Sequence, residues 1–191
     1  MIKAILLAAG KSKRLKSENK LIKIYNKKPL INHGVKSLIK SKVNKIIIVL
    51  GFESEKLKKI IKKNRKISFT FNKYYKKGMS SSIKQGLKKI SKKDKGFIIV
   101  QSDMPFITTS NINKICNSIT TKKYLIHILS YKNQIGNPIG FDISILDKFK
   151  KIKGNIGAKY MVKKLKNRAN FIAVSSKKFF KDLDKPSDFR N

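Results

Sequence analysis

Carboxylates are scarce in this chain. Ten Asp and Glu stand against 47 Lys and Arg, a formal net charge of +37 over 191 residues. A divalent cation held by carboxylates must draw on Glu18, Glu53, Glu55, Asp94, Asp103, Asp142, Asp147, Asp182, Asp184 and Asp188. Asp103 is singled out by position. It ends the apolar run "GFIIVQSD" (96–103) and is followed by Met104 and Pro105. At the carboxyl end of a buried strand it could hold Mg²⁺, which is commonly bound by one or two carboxylates plus substrate phosphates. The competing reading is a cap on the next turn. "DLDKPSDF" supplies Asp182, Asp184 and Asp188. In an extended chain Asp182 and Asp184 point to opposite faces, so only one of them can join Asp103. Asp188 falls in the first turn of a short helix near Pro186.

The second candidate is cationic. "LLAAGKSKRLKSENK" (6–20) passes from an apolar run into glycine, small polar residues and positive charge. It is not a Walker A loop, which needs a glycine five positions before Gly10, where Ile5 stands. It is either another kind of phosphate-binding loop or a plain strand-to-helix turn. "GMSSS" (78–82) combines a glycine with helix-opening serines, whose amides and hydroxyls suit a base or ribose, or serve only as an N-cap. "GNPIGF" (136–141) reads as a turn entering an edge strand. His33, on a helix, and His127, in a strand, have no metal-ligand spacing and are given no catalytic role. Cys116 lies among apolar helix positions and reads as packing; one cysteine excludes a disulfide framework.

These groups need a scaffold. "IKAILLAA" (2–9), "KIIIVLG" (45–51) and "GFIIVQSD" are continuous apolar runs, as in strands buried on both faces. "ISFTF" (67–71), "YLIHILSY" (124–131) and "NFIAVSS" add further strands. Helical periods fill the intervals: "LINHGVKSLIKS" after Pro29, "ESEKLKKIIKK" (53–63), "SSSIKQGLKKIS", "TTSNINKICNSI" (108–119), "SILDKFKKI", "IGAKYMVKKL" and a last turn in "DKPSDFR". Alternation this regular predicts an α/β protein with a mostly parallel sheet. Ligands of such sheets bind beyond the carboxyl ends of the strands, which is where the candidate segments fall. The length suits a single domain over 1–191.

The charge invites a nucleic-acid reading. Against it, only Arg14, Arg65, Arg168 and Arg190 are arginines, although arginine is favoured for bidentate phosphate and base contacts. The lysines are also spread along the whole chain, among many Ile, Asn, Phe and Tyr. No specific nucleic-acid partner is expected, and no membrane: no apolar run is long enough to span a bilayer, and the start does not read as a signal peptide. The expected location is the cytoplasm.

Taken in order, the motifs resemble the MobA-like nucleotidyltransferase family. Leu7-Ala8-Ala9-Gly10, Ser12, Arg14 and Lys20 follow the family's loop. Gly78 to Ser82 follow its G-M-x-S-S segment, and Asp103 its G-D-M-P segment. Gly136-Asn137-Pro138 resembles its G-H-P turn, Gly154 to Ala158 its G-x-x-G-A, and Asp182 to Phe189 its D-x-D-x-P-x-D ending. The two-alanine loop is similar to that of molybdenum cofactor cytidylyltransferases; guanylyl-transferring relatives usually have glycine at the place of Ala9. The departures are Lys16, Ser102, Asn137 and Asn155, where the family has glycine, glycine, histidine and, commonly, aspartate.

The resemblance implies a Rossmann-like three-layer sandwich of the nucleotide-diphospho-sugar transferase type. It implies transfer of CMP from CTP to a phosphate-bearing acceptor such as molybdopterin, with release of pyrophosphate. Arg14, Lys20 and Asp103 would be catalytic. Leu7, Ala8, Ala9, Gly10, Ser12, Gly78, Ser81 and Ser82 would bind the nucleotide, and Asp103 and Asp184 would hold Mg²⁺ or Mn²⁺. A molybdoenzyme or its chaperone is the implied protein partner. The alternatives are a cytidylyl- or uridylyltransferase making an activated sugar or alcohol, and a basic nucleic-acid-binding protein.

Overall fold

The computed structural model describes residues 1–11 and 19–189. The first apolar run forms β1 (Ile2–Ala8). A small hairpin of β2 (Ile24–Tyr25) and β3 (Lys28–Pro29) leads into α1 (Leu30–Lys40). Then come β4 (Lys45–Leu50), α2 (Ser54–Ile60), β5 (Ile67–Phe71) and α3 (Met79–Leu87). β6 (Gly96–Gln101) is followed by α4 (Thr109–Thr120), whose cap Thr108 accepts a hydrogen bond from the Asn111 amide. The chain continues through β7 (Ile126–Tyr131), β8 (Gln134–Asp142), a 3-10 stretch over Ile143–Lys151, α5 (Lys159–Lys164) and β9 (Ala169–Ala173).

Seven strands form one sheet in the order β5-β4-β1-β6-β8-β7-β9. β1 runs parallel to β4 and β6, β4 to β5, and β7 to β9; β8 is antiparallel to both its neighbours. Because the strands are covered on both faces, successive apolar residues serve different cores. Ala4, Leu6 and Ala8 pack beneath α1, α2 and α4, whereas Ile5 and Ala9 pack with Ile83 of α3 and Met161 and Val162 of α5. This is the expected three-layer α/β sandwich. From β1 the chain builds outward through β4 to β5, then returns to place β6 on the other side of β1. That reversal opens a crevice beyond the carboxyl ends of β1 and β6, the usual ligand position in such folds.

"GNPIGF" departs from the expected edge strand. It lies in β8, an interior strand between β6 and β7. A proline is normally excluded there because it cannot donate to the ladder. Here the register slips, with Ile128 opposite Ile139 but Leu129 opposite Gly136. Asn137 and Pro138 occupy the resulting bulge, so the ladder asks no amide of Pro138. Among the described residues no helix is long and apolar enough to cross a membrane.

Candidate active site

The floor of the crevice is set by the strand ends. β6 stops at Gln101, and the Ser102 hydroxyl donates to the Leu7 carbonyl of β1 at 2.6 Å. This cross-strand tie fixes the next residue, Asp103, beside the end of β1. From the other side, Lys20 is delivered by a turn anchored on the buried Asn19. The Asn19 side chain accepts from the Leu21 amide and donates to the Phe52 carbonyl, while its own carbonyl accepts from Ile22. The third element is the C-terminal segment. The Leu183 amide donates to the Asp103 carbonyl at 3.0 Å, and the Leu183 side chain is buried. Asp184 is then turned inward because its amide and that of Lys185 both donate to the Asp188 carboxylate, each at 2.9 Å.

These supports bring Lys20 between two carboxylates. Its Nζ lies 2.7 Å from Asp103 Oδ2 and 2.5 Å from Asp184 Oδ1. Asp182 is also present: carboxylate oxygens of Asp103, Asp182 and Asp184 lie within 4.8 Å of one another. The strict alternation expected of Asp182 and Asp184 fails because residues 181–185 are not a strand. The carbonyl contact at Leu183 and the Asp188 turn curl the segment, so both carboxylates reach the same place.

The electrostatics follow from this crowding. Burial alone would lower the Lys20 pKa, but the charges and hydrogen bonds of Asp103 and Asp184 outweigh it and raise the pKa. Asp182 reaches solvent on one side. Its pKa is nonetheless raised, first by loss of water on its inner side and then by the charges of Asp103 and Asp184. Asp188 moves the other way, held low chiefly by the amides of Lys185 and Asp184. Among the described residues, Asp103 Oδ1 is buried and accepts no hydrogen bond.

A cavity of about 310 Å³ lies over this cluster, walled by Leu7, Ala9, Gly10, Gly78, Met79, Ser82 and Asn155 as well as Lys20 and Asp103. Gly10 lines the cavity, and a Cβ there would meet no described heavy atom within 4 Å. Gly78 has φ +98°, and a Cβ on it would come within 2.6 Å of Gly154 and Asn155. Only glycine suits both demands, and the close approach seals the rim where the Ser80 amide meets the Gly154 carbonyl. Among the candidate nucleotide residues, Ser82 lines the cavity. The Ser81 hydroxyl faces the turn instead, near the Tyr74 and Gly78 carbonyls, and it and Ser82 both accept from the buried Asn72. Ala9 lines the cavity, but Ala8 packs into the opposite core. Ser12 and Arg14 lie outside the described residues.

A second cavity of about 280 Å³ adjoins the first, sharing Leu7, Met79, Gln101 and Asn155 and adding Asn137, Lys159 and Asp182. Sequence reasoning passed over Asn19, Gln101 and the bracing role of Asp188. Gln101 ends an apolar run one residue before Ser102, which is a signal for a crevice position. Asn19 carries no such signal, because its partner Phe52 is distant in sequence.

The model of the MobA-like NTP transferase domain matches residues 4–169. The chain belongs to that family. The match spans β1, β6 and the start of β9, but not Asp182 and Asp184. The bifunctional protein GlmU of Clostridioides difficile (strain 630) is 28% identical over 149 residues, 76% of this chain and 31% of its own length. The chain thus spans about a third of that relative. Among solved structures, Rv0371c of Mycobacterium tuberculosis H37Rv superposes with TM-score 0.85 at 17% identity, covering 98% of this chain and 94% of that one. The same protein in complex with manganese gives 0.81 at 16% identity over 98% and 95%. A 4-diphosphocytidyl-2C-methyl-D-erythritolsynthase from Anaerococcus prevotii DSM 20548 gives 0.77 at 16% identity over 99% and 92%. At these identities the likeness is one of fold, and it places this MobA-like chain among three-layer nucleotidyltransferase folds.

Proposed function

We propose that residues 1–191 form one nucleotidyltransferase domain that transfers CMP from CTP to a phosphate monoester, with molybdopterin as the candidate acceptor. The observation that carries the reading is the convergence of Lys20, Asp103 and Asp184 beside a cavity lined by Ala9 and Gly10 just after β1. The triphosphate would lie along Gly10 and the loop that follows, its charge offset by Lys20 and Arg14. Ala9 and Ser82 would face the nucleoside. The adjoining polar cavity, with Gln101, Asn137 and Lys159, would hold the acceptor.

An oxygen of the acceptor phosphate attacks the α-phosphorus, forming a new phosphoanhydride bond. The bond from the α-phosphorus to the bridging oxygen breaks, and its electron pair leaves on pyrophosphate. A phosphate monoester is already an anionic nucleophile, so no general base is required. The protein supplies alignment and fixed positive charge where negative charge accumulates. Asp103 and Asp184 fit a hard cation such as Mg²⁺ or Mn²⁺, being oxygen donors, with a buried Oδ1 on Asp103 that has no hydrogen-bond partner among the described residues. Such an ion, when bound, supplies Lewis-acid neutralisation of the phosphoryl oxygens.

A second reading, a cytidylyl- or uridylyltransferase that makes an activated sugar or alcohol from its phosphate, is supported by the synthase named above. The deciding experiment measures pyrophosphate release from CTP, GTP, UTP and ATP with Mg²⁺ and each acceptor class. Release that depends on CTP and molybdopterin supports the first reading. Release only with a sugar or alcohol phosphate supports the second. No release with any pair rejects both.

A further inference from the structure

We infer that Lys20 is an internal cation that holds the carboxylate site shut to divalent metal until a triphosphate draws it away, so that nucleotide and metal bind cooperatively through this one side chain. The inference rests on the nucleotidyltransferase reading and adds an order of events to it. Lys20 Nζ sits 2.7 Å from Asp103 Oδ2 and 2.5 Å from Asp184 Oδ1, so the ammonium bridges the two carboxylates proposed for the metal. A magnesium ion would stand about 2.0–2.1 Å from such oxygens, within the space the ammonium fills. Two cations cannot share it. Coulomb repulsion between them at that range, in a crevice where water is partly excluded, opposes any doubly occupied state.

The geometry also provides the release. Lys20 lines the same cavity as Gly10, the proposed path of the triphosphate. The side chain is a flexible four-carbon stem ending in a point charge, while its backbone is pinned by the Asn19 turn. A rotation of the stem therefore moves the charge from the carboxylates to an entering phosphate without unfolding the support. Asp182 stands within the same group of carboxylates, so removing the ammonium leaves a strongly anionic place for the metal. By linkage the coupling is reciprocal: nucleotide strengthens metal binding as much as metal strengthens nucleotide binding.

The test uses the full chain, Mn²⁺ as the metal and CTP as the nucleotide. Free Mn²⁺ is followed by its electron paramagnetic resonance signal, with allowance for Mn²⁺ held by CTP in solution. Without nucleotide, wild type should bind Mn²⁺ weakly, and Lys20→Met should bind it about tenfold more tightly or better, within the usual range of coupling between sites. Adding Asp103→Asn to Lys20→Met should abolish the gain. CTP should sharply strengthen Mn²⁺ binding by wild type and do much less for Lys20→Met. If Lys20→Met fails to fold, Lys20→Gln takes its place. In wild type, the ammonium ¹⁵N resonance of Lys20 should persist with Mg²⁺ alone and shift only when CTP is added. Equal Mn²⁺ affinity of wild type and variant without nucleotide, with Mn²⁺–CTP still bound by wild type, overturns the inference and leaves the enzymatic reading standing. Absence of any Mn²⁺–CTP binding by wild type overturns both.

Discussion

Two of the internal polar groups among the described residues are treated oppositely. At the carboxyl end of β6, Lys20, Asp103 and Asp184 are charged and partly open, with side-chain exposures of 13%, 20% and 30%. Between α4 and the far half of the sheet, His127 is fully buried. Its Nδ1 lies 2.7 Å from the Ser118 hydroxyl, which also accepts from Asn170. Burial drives the His127 pKa down to about 4, only partly opposed by Asp142 and the Tyr124 backbone. The second group remains neutral at pH 7: its Nδ1 meets an uncharged hydroxyl, and its Nε2 is buried with no hydrogen-bond partner among the described residues, so it serves packing. The first retains charges that can be redistributed when an anion or metal arrives. A buried polar residue is thus informative through the charge its surroundings sustain, not through burial alone.

The sharpest way to break this contrast is at Asp103. Asp103→Asn keeps size and removes charge, and should lower transferase turnover by at least about a hundredfold, as expected for loss of a metal-supported electrostatic contribution. Circular dichroism and thermal unfolding should change little. Near-normal turnover by a folded variant would remove Asp103 from the catalytic group.

His127 offers the converse test, on stability. Its folded pKa is depressed, so the unfolded chain takes up its proton first as pH falls. Stability is therefore undiminished above the ordinary value near 6.5 and is lost as pH drops toward 4. The loss attributable to His127 between pH 7 and pH 4.5 should be about 2–3 kcal/mol. Urea unfolding of wild type and His127→Leu at both pH values isolates it; the variant should lack this component, and equal pH dependence would refute the neutral assignment.

The next effect concerns which cations act. Lys20→Ala should weaken CTP binding by roughly tenfold, the scale of one lost charge-assisted contact. Lys62→Ala and Lys151→Ala should leave it near wild type. Calorimetry at fixed ionic strength gives the comparison, and equal losses in all three would mean that the diffuse field of a +37 chain binds the nucleotide.

The smallest effect tests base choice. Ala9 lines the cavity while Ala8 packs into the opposite core. CTP should be preferred over GTP by about tenfold, the worth of one steric or hydrogen-bond conflict. Ala9→Gly should reduce that ratio a few-fold, and Ala8→Gly should lower stability without altering it. Competition binding with the two nucleotides measures both. A ratio near one in wild type would reject the cytidylyl preference.

Much of this architecture is written locally. Continuous apolar runs predict β1, β4 and β6, and the structure places them at the centre of the parallel half of the sheet, because a strand covered on both faces needs no polar alternation. Thr108 before an apolar helical period marks the start of α4, where the side chain does accept the Asn111 amide. Pro105 after an apolar run places Asp103 at a strand end. Each of these signals involves neighbours within a few residues. The reading of "GNPIGF" as an edge failed because strand order is not a local property. Only the return of the chain shows that β8 lies between β6 and β7, where a bulge accommodates Pro138.

By itself, the sequence determined the kinds of groups available: few carboxylates, a glycine-bearing cationic loop after the first strand, and an aspartate where an apolar run stops. Tertiary structure alone decided which of them meet. Lys20 contacts a residue 83 positions away and another 164 positions away. Asp182 joins Asp184 because a carbonyl contact from Asp103 and the Asp188 turn override strand alternation. Ala8 and Ala9, adjacent and identical in type, part company because successive residues of a strand face opposite sides of the sheet. Alternation follows from backbone geometry, but the side that becomes cavity depends on what the remainder of the fold packs against it.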